Sequence, residues 1–299
     1  MKPLKIILWF YSKLPKIVCR PLSDIIEVKR LFYRYYHYFP NLITPKIFDE
    51  KIQWYKLYHR KPVMNEMADK YLVRNFINKM GLGHILNELY GVYDHPDEID
   101  FNSLPDKFVL KATHGSAMNI ICKDKNKLDW KLSKRIMERW LKISYYYRGR
   151  QWVYKDLKPK LICEKYLENE EYHELIDYKF YCYEGKPEVV FVCVDRYSET
   201  GVKYDAYDME WNYIPVFKGK PGTMMNFDRP KVLGEMIKIC EKLSQNFPFV
   251  RVDLYLIKNK ILFGELTFYP DNGLIAFTPE HYNNFFGDLF QIPKRSDFS

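Results

Sequence analysis

Two apolar stretches towards the carboxyl-terminal end of the chain, residues 250–257 and 261–268, constrain the fold more than any other feature. Both consist mostly of β-branched, aromatic and leucine residues, which favour strands. The polar residues Lys258, Asn259 and Lys260 lie between them. This pattern predicts a β-hairpin with a three-residue turn, and it places several charged side chains inside two otherwise apolar strands.

The length of the turn determines which charged side chains meet across the hairpin. A three-residue turn places Asp253 directly opposite Glu265. The same register places Arg251 opposite Thr267. A two-residue turn would put the two carboxylates on opposite faces of the sheet, because side chains alternate between faces. The position of both carboxylates on one face therefore requires an odd-length turn.

Opposed carboxylates in an apolar hairpin suggest a bound cation. Their Cβ atoms would lie only about 5 Å apart, and two negative charges at that spacing repel each other. Oxygen ligands of this kind suit Mg²⁺ or Mn²⁺, ions that bridge the phosphates of nucleotides. The alternative is that Asp253 and Glu265 are solvated or paired with Arg251, and these residues alone leave both interpretations open.

Composition limits the class of protein. A chain of 299 residues can form a large core and divide into two or three lobes. A hydrophobic content of 47% excludes global disorder. The six cysteines include no CxxC pair and follow no cleavable signal sequence, so we expect reduced thiols in a cytoplasmic protein and no zinc site.

The net charge of +9 implies an anionic partner or surface. Lysine and arginine alternate with aromatic residues in the first forty residues, where the apolar run at 6–11 is far shorter than the roughly 20 residues that span a bilayer. A short helix lying on the inner face of an anionic membrane and ordinary packing against the core both stay open. Zinc-finger, helix-turn-helix and RNA-binding motifs do not accompany the charge, so we expect no nucleic-acid partner.

Basic residues in the first half of the chain accompany a loop of small residues. A helix predicted between Asp69, a good N-cap, and Gly81, a good C-terminal stop, carries Lys70 and Arg74 on one face. Lys111 ends a predicted strand and precedes the loop HGSAMN, whose backbone N–H groups could cradle phosphate oxygens. The alternatives are a solvated helix face and an ordinary hairpin with a solvated lysine.

The segment LICEKYL reads as an apolar strand that becomes polar at Glu164. The backbone of residues 165–167 could hold a nucleotide base there, with Glu168 near enough for a ribose. The alternative is a strand end with solvated charges. Helices are further predicted at 130–143, at 231–247 and after Thr278 as N-cap.

The order of these motifs resembles that of the ATP-grasp superfamily, and most closely its TupA-like branch, which is found among genes for bacterial cell-surface polysaccharides and teichuronopeptide. The resemblance covers about residues 40–285. It rests on FDEKIQWYKLYHRKP, ADKYLVRNF, FVLKATHGS, ICEKYL, DYKFYCYEGK, FPFVRVDLY and FGELTF. It implies an α+β fold in which two α+β lobes clamp a nucleotide, with a helical N-terminal extension.

The resemblance also implies a division of the chain. Residues 1–60 would form the basic, aromatic N-terminal region, and 61–107 a segment that precedes the grasp. Residues 108–168 would form the small lobe with the phosphate loop. Residues 169–290 would form the large lobe with the metal-binding hairpin.

By resemblance, the residues that bind ATP lie in the segment 61–107 and in the small lobe. The phosphates would meet Lys70, Lys111 and the loop of His114, Gly115 and Ser116, while the base and ribose would meet Glu164, Lys165, Tyr166, Leu167 and Glu168. His114 alone could also be an acid or base, or simply a hydrogen-bonding residue. The loop is poorer in glycine than the family pattern, which puts its mobility in question.

The large lobe would hold the metal and the reacting groups. Asp253 and Glu265 would carry Mg²⁺ or Mn²⁺, and Arg251 would stabilise the acyl phosphate and the tetrahedral centre. Thr267 stands where the superfamily often has asparagine, so a second metal would need Asn272 as a substitute. The candidates for binding an anionic acceptor, with solvated surface as the alternative, are Arg148, Arg150 and Lys179.

The implied activity is that of an ATP- and Mg²⁺-dependent ligase in cell-surface polysaccharide synthesis. It would activate a carboxylate on a sugar or an amino acid as an acyl phosphate, for attack by an amine or another nucleophile. One alternative is a glycosyltransferase of the same pathway, although the sequence lacks a D-x-D motif. The other is a degenerate nucleotide-binding or membrane-associated scaffold.

Overall fold

The computed structural model describes residues 22–168, 175–194, 203–219, 222–223 and 226–293. The helices within these ranges are α1 Asp24–Tyr36, α2 Phe48–Tyr58, α3 Pro62–Ala68, α4 Val73–Lys79, α5 Trp130–Leu141, α6 Leu233–Ser244 and α7 His281–Leu289. The strands are β1 Leu89–Tyr93, β2 Phe108–Ala112, β3 Asn119–Cys122, β4 Leu161–Lys165, β5 Asp177–Tyr183, β6 Lys186–Val194, β7 Lys203–Tyr207, β8 Tyr213–Ile214, β9 Phe217–Lys218, β10 Phe249–Ile257, β11 Lys260–Thr267 and β12 Phe277–Thr278. Among the described residues, no helix is both long and apolar enough to cross a membrane.

The first sheet contains four antiparallel strands in the order β1-β4-β2-β3. Helix α5 packs against it, with Met137 fully buried. The predicted helix is present, and its buried residues are Ser133 and Met137, whereas the apolar Leu132 is 51% exposed. Strand β1 lies within the 61–107 segment and pairs with β4; the four predicted segment boundaries stay predictions.

The second sheet contains six antiparallel strands in the order β11-β10-β5-β6-β7-β8. Side chains alternate between its two faces, as the strand period requires. Val250, Val252 and Leu254 of β10 face α6 and are fully buried. The opposite face packs on α2 and α7 at one end, where the rings of Phe249 and Phe48 meet, and it becomes polar further along the strands. This change from apolar to polar along one face creates room for a site.

The hairpin of β10 and β11 differs from the prediction in its turn. The turn has two residues, Lys258 and Asn259, both with positive φ (49° and 64°), so the predicted three-residue turn was wrong. Two consecutive residues with positive φ match the twist of the flanking strands. Asp253 nevertheless lies opposite Glu265, as predicted.

A β-bulge at Gly264 reconciles these two observations. The register shifts by one residue between Asp253 and Leu254, so the extra residue on β11 returns Glu265 to the face of Asp253. A Cβ atom at Gly264 would lie 2.9 Å from the carbonyl oxygen of Asp253, so the bulge requires glycine. The carboxylates therefore share a face because of the bulge and not because of the turn.

The ends of the described chain pack against the core. Helix α1 buries a salt bridge of 2.6 Å between Arg30 and Glu27 and contacts α2. The apolar run at 6–11, with its proposed membrane contact, lies outside the described residues. Thr278 was predicted as the N-cap of the closing helix, but it belongs to β12, which pairs with β9, and α7 begins at His281.

Candidate functional site

A cavity of about 430 Å³ lies between the two sheets. Its first wall is made by residues of the first sheet and of α4 with the turn that precedes it. Its second wall is made by β5, β10 and β11 of the second sheet. The charged residues of the first wall are Lys70, Arg74, Lys111 and Glu164, and those of the second wall are Asp177, Lys179, Arg251, Asp253 and Glu265.

One carboxylate organises the first wall. Glu164 of β4 is buried and accepts hydrogen bonds from Lys111 Nζ at 2.6 Å and from Arg74 NH1 at 3.3 Å. Burial lowers the pKa of Lys111, but Glu164 outweighs it and the pKa is raised. Lys70 Nζ donates instead to the carbonyl oxygen of Gly115, and burial lowers the pKa of Lys70. The first wall thus carries three cations for one carboxylate.

The loop after β2 is anchored at His114. His114 is 2% exposed, and its Nε2 lies 3.1 Å from the carbonyl oxygens of both Trp140 and Ile143. Two carbonyl acceptors require that Nε2 donates, and burial lowers the pKa of His114, so the ring is neutral. His114 is a hydrogen-bonding anchor rather than a cavity-lining acid or base, whereas Ser116 of the same loop lines the cavity.

The second wall pairs its charges closely. Arg251 Nε and NH2 bind the two oxygens of Asp253 at 2.6 and 2.7 Å, and Lys179 Nζ donates to the same carboxylate at 2.6 Å. Arg251 NH2 also lies 3.1 Å from Glu265. Burial raises the pKa of Asp253, but Arg251 and Lys179 outweigh it and hold the pKa below its usual value. The pairing with Arg251, one of the interpretations left open by the sequence, is therefore present.

The oxygen donors of the second wall fit a magnesium ion that takes few protein ligands. Glu265 has a side chain that is 41% exposed, and its Oε2 accepts no hydrogen bond from the described residues. Thr267 Oγ1 donates to Oε1 of Glu265 at 2.9 Å and orients that carboxylate. Mg²⁺ is commonly held by one or two carboxylates together with substrate phosphates and water. Within the described ranges, no group of three or more His, Cys, Asp or Glu side chains forms a metal cluster.

Asn272 does not belong to this set of donors. Its Oδ1 accepts a hydrogen bond of 2.8 Å from Lys56, and its own carbonyl oxygen accepts one of 3.0 Å from the same ammonium. Asn272 does not line the cavity. The structure therefore does not bring Asn272 to Glu265.

A second cavity of about 800 Å³ adjoins the first. Both cavities share Lys111, Leu167 and Tyr255 in their linings, and the second one also contains Lys165, Tyr166 and Glu168. The segment predicted to hold a base and a ribose thus lines the second cavity. Lys70 and Lys111, the lysines predicted to bind phosphates, line the first cavity. Glu168 itself forms an exposed ion pair of 2.7 Å with Lys107.

The structure brings one of the three predicted acceptor-binding residues into the cleft. Lys179 lines the cavity. Arg150 is 2% exposed, donates to the carbonyl oxygen of Leu22 at 2.9 Å and lies outside the cavity lining. Arg148 is exposed, with its guanidinium 5.2 Å from the ring centre of Tyr145. Neither arginine is positioned for an acceptor in the cleft.

Sequence reasoning missed three charged residues of the cleft, one of which is Asp177 of β5. Lys218 and Asp271 line the same cavity as Arg251. Lys218 lies in a two-residue strand and Asp271 in the turn Pro270–Gly273, and neither segment has an apolar periodicity that would place it. Arg74 was considered only as part of a solvated helix face, whereas it binds Glu164.

Two antiparallel sheets that enclose a cleft, with lysines on one wall and opposed carboxylates on the other, define the two-lobed α+β architecture of the ATP-grasp class. A family model described as TupA-like ATPgrasp matches residues 50–291. The chain therefore belongs to the TupA-like family and has the ATP-grasp ligase fold.

Solved structures show distant similarity. D-alanine–D-alanine ligase from Helicobacter pylori is 14% identical with a TM-score of 0.40, over 76% of this chain and 61% of that chain. Phosphoribosylamine–glycine ligase from Thermotoga maritima is 12% identical with a TM-score of 0.40, over 69% and 48%. N5-carboxyaminoimidazole synthase from Aspergillus clavatus, in complex with ADP and 5-aminoimidazole ribonucleotide, is 10% identical with a TM-score of 0.39, over 68% and 44%. The chain thus spans less than two thirds of each, and no curated protein matches it significantly.

Proposed function

We propose that the protein is an ATP-dependent ligase that activates a carboxylate as an acyl phosphate and joins it to an amine. The observation that carries the proposal is the pairing of the two walls. Three cations on the first wall face two opposed carboxylates and an arginine on the second wall, across one cavity. Phosphates need the cations, and the metal that accompanies them needs the carboxylates.

The two chambers support a placement of the nucleotide. The base would occupy the larger chamber against Tyr166 and Leu167, with Glu168 towards the ribose. The phosphates would lie in the smaller chamber against Lys70 and Lys111. Both lysines now donate to protein oxygens, so bound phosphates would replace or share those acceptors.

Glu265 and Asp253 would hold Mg²⁺, with Thr267 keeping the carboxylate of Glu265 in place. When bound, the ion neutralises phosphate charge and orients the terminal phosphate. Asp253 is already fixed by Arg251 and Lys179: its Oδ2 accepts a hydrogen bond from each of them, whereas its Oδ1 accepts one from Arg251 and has a second lone pair that could meet the ion.

Arg251 is the proposed catalytic residue. In the first step, an oxygen of the substrate carboxylate bonds to the terminal phosphorus while the bond from that phosphorus to ADP breaks. In the second step, the amine nitrogen bonds to the acyl carbon, phosphate leaves with its bond electrons, and the nitrogen gives up a proton. Asp253 outweighs burial and raises the pKa of Arg251, so its guanidinium stays charged and can stabilise the oxygens that gain charge in both steps.

The wider setting that we propose is the synthesis of a bacterial cell-surface polysaccharide, with a sugar or an amino acid as the source of the carboxylate. The support is the branch of the superfamily to which the chain belongs. The reaction would take place in the cytoplasm.

The test is release of ADP and phosphate from Mg-ATP in the presence of uronic acids and amino acids. We expect release that depends on a carboxylate. Glu265→Gln should lower the rate of ADP release by about a hundredfold or more, because it removes a charged ligand of the metal ion that neutralises the phosphates. Glu188→Gln, an exposed change on β6 of the same sheet, is the matched control. Release that responds only to a sugar nucleotide, or full activity in Glu265→Gln, would contradict the proposal.

A further inference from the structure

The end of the cleft beyond Arg251 contains a buried ammonium group that the proposed phosphate chemistry does not use. Lys218 lines the cavity and is 6% exposed. Its Nζ lies 4.6 Å from the ring centre of Phe277 and 4.9 Å from that of Phe48. That Nζ has no hydrogen-bond partner among the described residues, and its ion pair with Asp271 is 3.4 Å long.

Lys218 is charged in this position. Burial lowers its pKa, but Tyr181 and the carboxylates of Asp271 and Asp49 outweigh burial, so the pKa is raised. Asp49 is fully buried in the core, where its Oδ2 accepts a hydrogen bond from Tyr36. An ammonium group with three N–H donors and no hydrogen bond is costly to bury, so an acceptor that enters the cleft would find unused donors here.

Asp271 is held at the surface of the cleft by its own turn. Asp271 and Asn272 both adopt left-handed backbone conformations, with φ of 50° and 60°. Lys56 and Gln53 of α2 each donate to the carbonyl oxygen of Asn272 at 3.0 Å. Left-handed residues other than glycine persist where surrounding groups hold them, and such residues are frequent at functional sites. The side chain of Asp271 is 34% exposed, so it can meet a ligand.

This pair lies beside the proposed reaction centre. Tyr181 pairs with Arg251 across β5 and β10, and its ring centre is 5.7 Å from Lys218 Nζ. Arg251 and Lys179, the other cations of this region, are both engaged by Asp253. Among the charged residues that the structure places in this cavity, Lys218 therefore has unused hydrogen-bond donors beside the proposed reaction centre.

We infer that the pair of Lys218 and Asp271 binds the amine substrate as an amino acid, with its carboxylate on Lys218 and its ammonium group on Asp271. The inference rests on the proposed function, because it assigns the second substrate of that reaction. Lys218 attracts a simple anion, but the carboxylate of Asp271, which lies 3.4 Å from Lys218 Nζ, repels it. A molecule with opposite charges on neighbouring groups satisfies both residues, so the pair selects zwitterions over carboxylates that lack an amine.

The test measures binding and needs no turnover. The full chain with Mg-ADP is mixed with the common L-amino acids and their D-enantiomers, and with matched acids that lack the amine, such as propionate for alanine and glutarate for glutamate. Ligand-observed saturation-transfer NMR gives the affinities. We expect an amino acid to bind about tenfold more tightly than its matched acid, because one charge-assisted contact is lost.

Two variants separate the roles of the pair. Asp271→Asn retains a residue that tolerates left-handed backbone and should remove the preference for the amine. Lys218→Met keeps an unbranched apolar chain among the rings and should weaken binding of both members of each pair by about tenfold. Asp288→Asn, an exposed carboxylate on α7, should change neither.

The outcomes distinguish this inference from the proposed function. Equal binding of amino acids and matched acids, no binding of either, or unchanged affinities in both variants would overturn the assignment of the pair. The ADP signals in the same samples report nucleotide binding. Absence of ADP binding would contradict the proposed function, while a preference for amino acids that Asp271→Asn removes would still support the pair.

Discussion

The two walls of the cleft carry an excess of charge of opposite sign. On the first wall, Lys70, Arg74 and Lys111 surround one carboxylate, Glu164. On the second wall, three carboxylates, Asp177, Asp253 and Glu265, accompany two cations. The first wall has an excess of positive charge and suits phosphates. The second has an excess of negative charge and suits a cation.

The walls also differ in how tightly their charges are fixed. Asp253 is 2% exposed and is held by three short hydrogen bonds. On the first wall, the side chain of Lys111 is 28% exposed, and the hydrogen bond of Lys70 Nζ within the described part of the chain is to the carbonyl oxygen of Gly115 in a loop. The second wall is thus a preformed arrangement, while the first can exchange protein acceptors for phosphate oxygens.

The largest effect is expected from a substitution that breaks the charge pairing of the second wall. Asp253→Asn leaves Arg251 and Lys179 without their shared carboxylate, and it should lower the free energy of unfolding at pH 7 by about 3 kcal/mol. Denaturant unfolding measures this change, with Asp288→Asn as the exposed control. A change equal to that of the control would show that the buried pairing contributes little.

The same residue gives a pH dependence. The pKa of Asp253 is lowered in the folded chain, so its contribution to stability is complete above the unfolded pKa of about 4. That contribution is lost as the pH falls through the lower folded pKa, because the unfolded chain binds the proton first. The wild-type protein should therefore lose stability in acid more steeply than Asp253→Asn. Parallel curves would contradict the pairing.

A smaller effect is expected on the first wall. Lys111→Met removes a cation that phosphates would meet, while Arg74 still holds Glu164. We expect ATP affinity to fall by about ten- to a hundredfold, with little change in stability. Calorimetric titration of ATP measures it, and Lys131→Met, an exposed change on α5 outside both cavities, is the control. Equal losses in the two variants would show that Lys111 has no special role.

The smallest effect concerns the geometry of the second wall. Gly264→Ala puts a Cβ atom 2.9 Å from the carbonyl oxygen of Asp253, so the bulge must shift. We expect a loss of about 1–2 kcal/mol of stability and weaker Mg²⁺-dependent nucleotide binding, since Glu265 moves with the strand. Gly234→Ala, in α6 where a Cβ meets open space, should not destabilise the chain. Unchanged binding in Gly264→Ala would separate the bulge from the site.

Much of the second wall could be predicted from sequence because strand alternation is local. Apolar runs located β10 and β11, and the spacing placed Asp253 and Glu265 together. The turn was predicted with the wrong length, and the correct pairing followed only because Gly264 adds the missing residue. Glycine in a strand indicates a bulge or a close backbone approach, but its effect on register depends on the partner strand.

The rest of the site depends on contacts between distant segments. Lys218 lies in β9, which pairs with β12, and Asp271 lies in the turn that precedes β12; two-residue strands have no periodic pattern that would predict this contact. Arg74 and Glu164 are 90 residues apart in the chain, so no local pattern predicts their contact. His114 was a candidate acid or base, but it donates to the carbonyl groups of Trp140 and Ile143, at and just after the end of α5 and more than twenty residues away in the chain.

Because of the bulge at Gly264, Glu265 faces the same side as Asp253 only when the number of residues between them is odd. Eleven residues separate Asp253 from Glu265, and any single insertion or deletion among them turns Glu265 to the wrong face. Two such changes cancel, wherever in the interval they occur. A three-residue turn combined with removal of Gly264 would preserve the pairing, so the turn of this hairpin can change its length only together with a compensating change in one of its two strands.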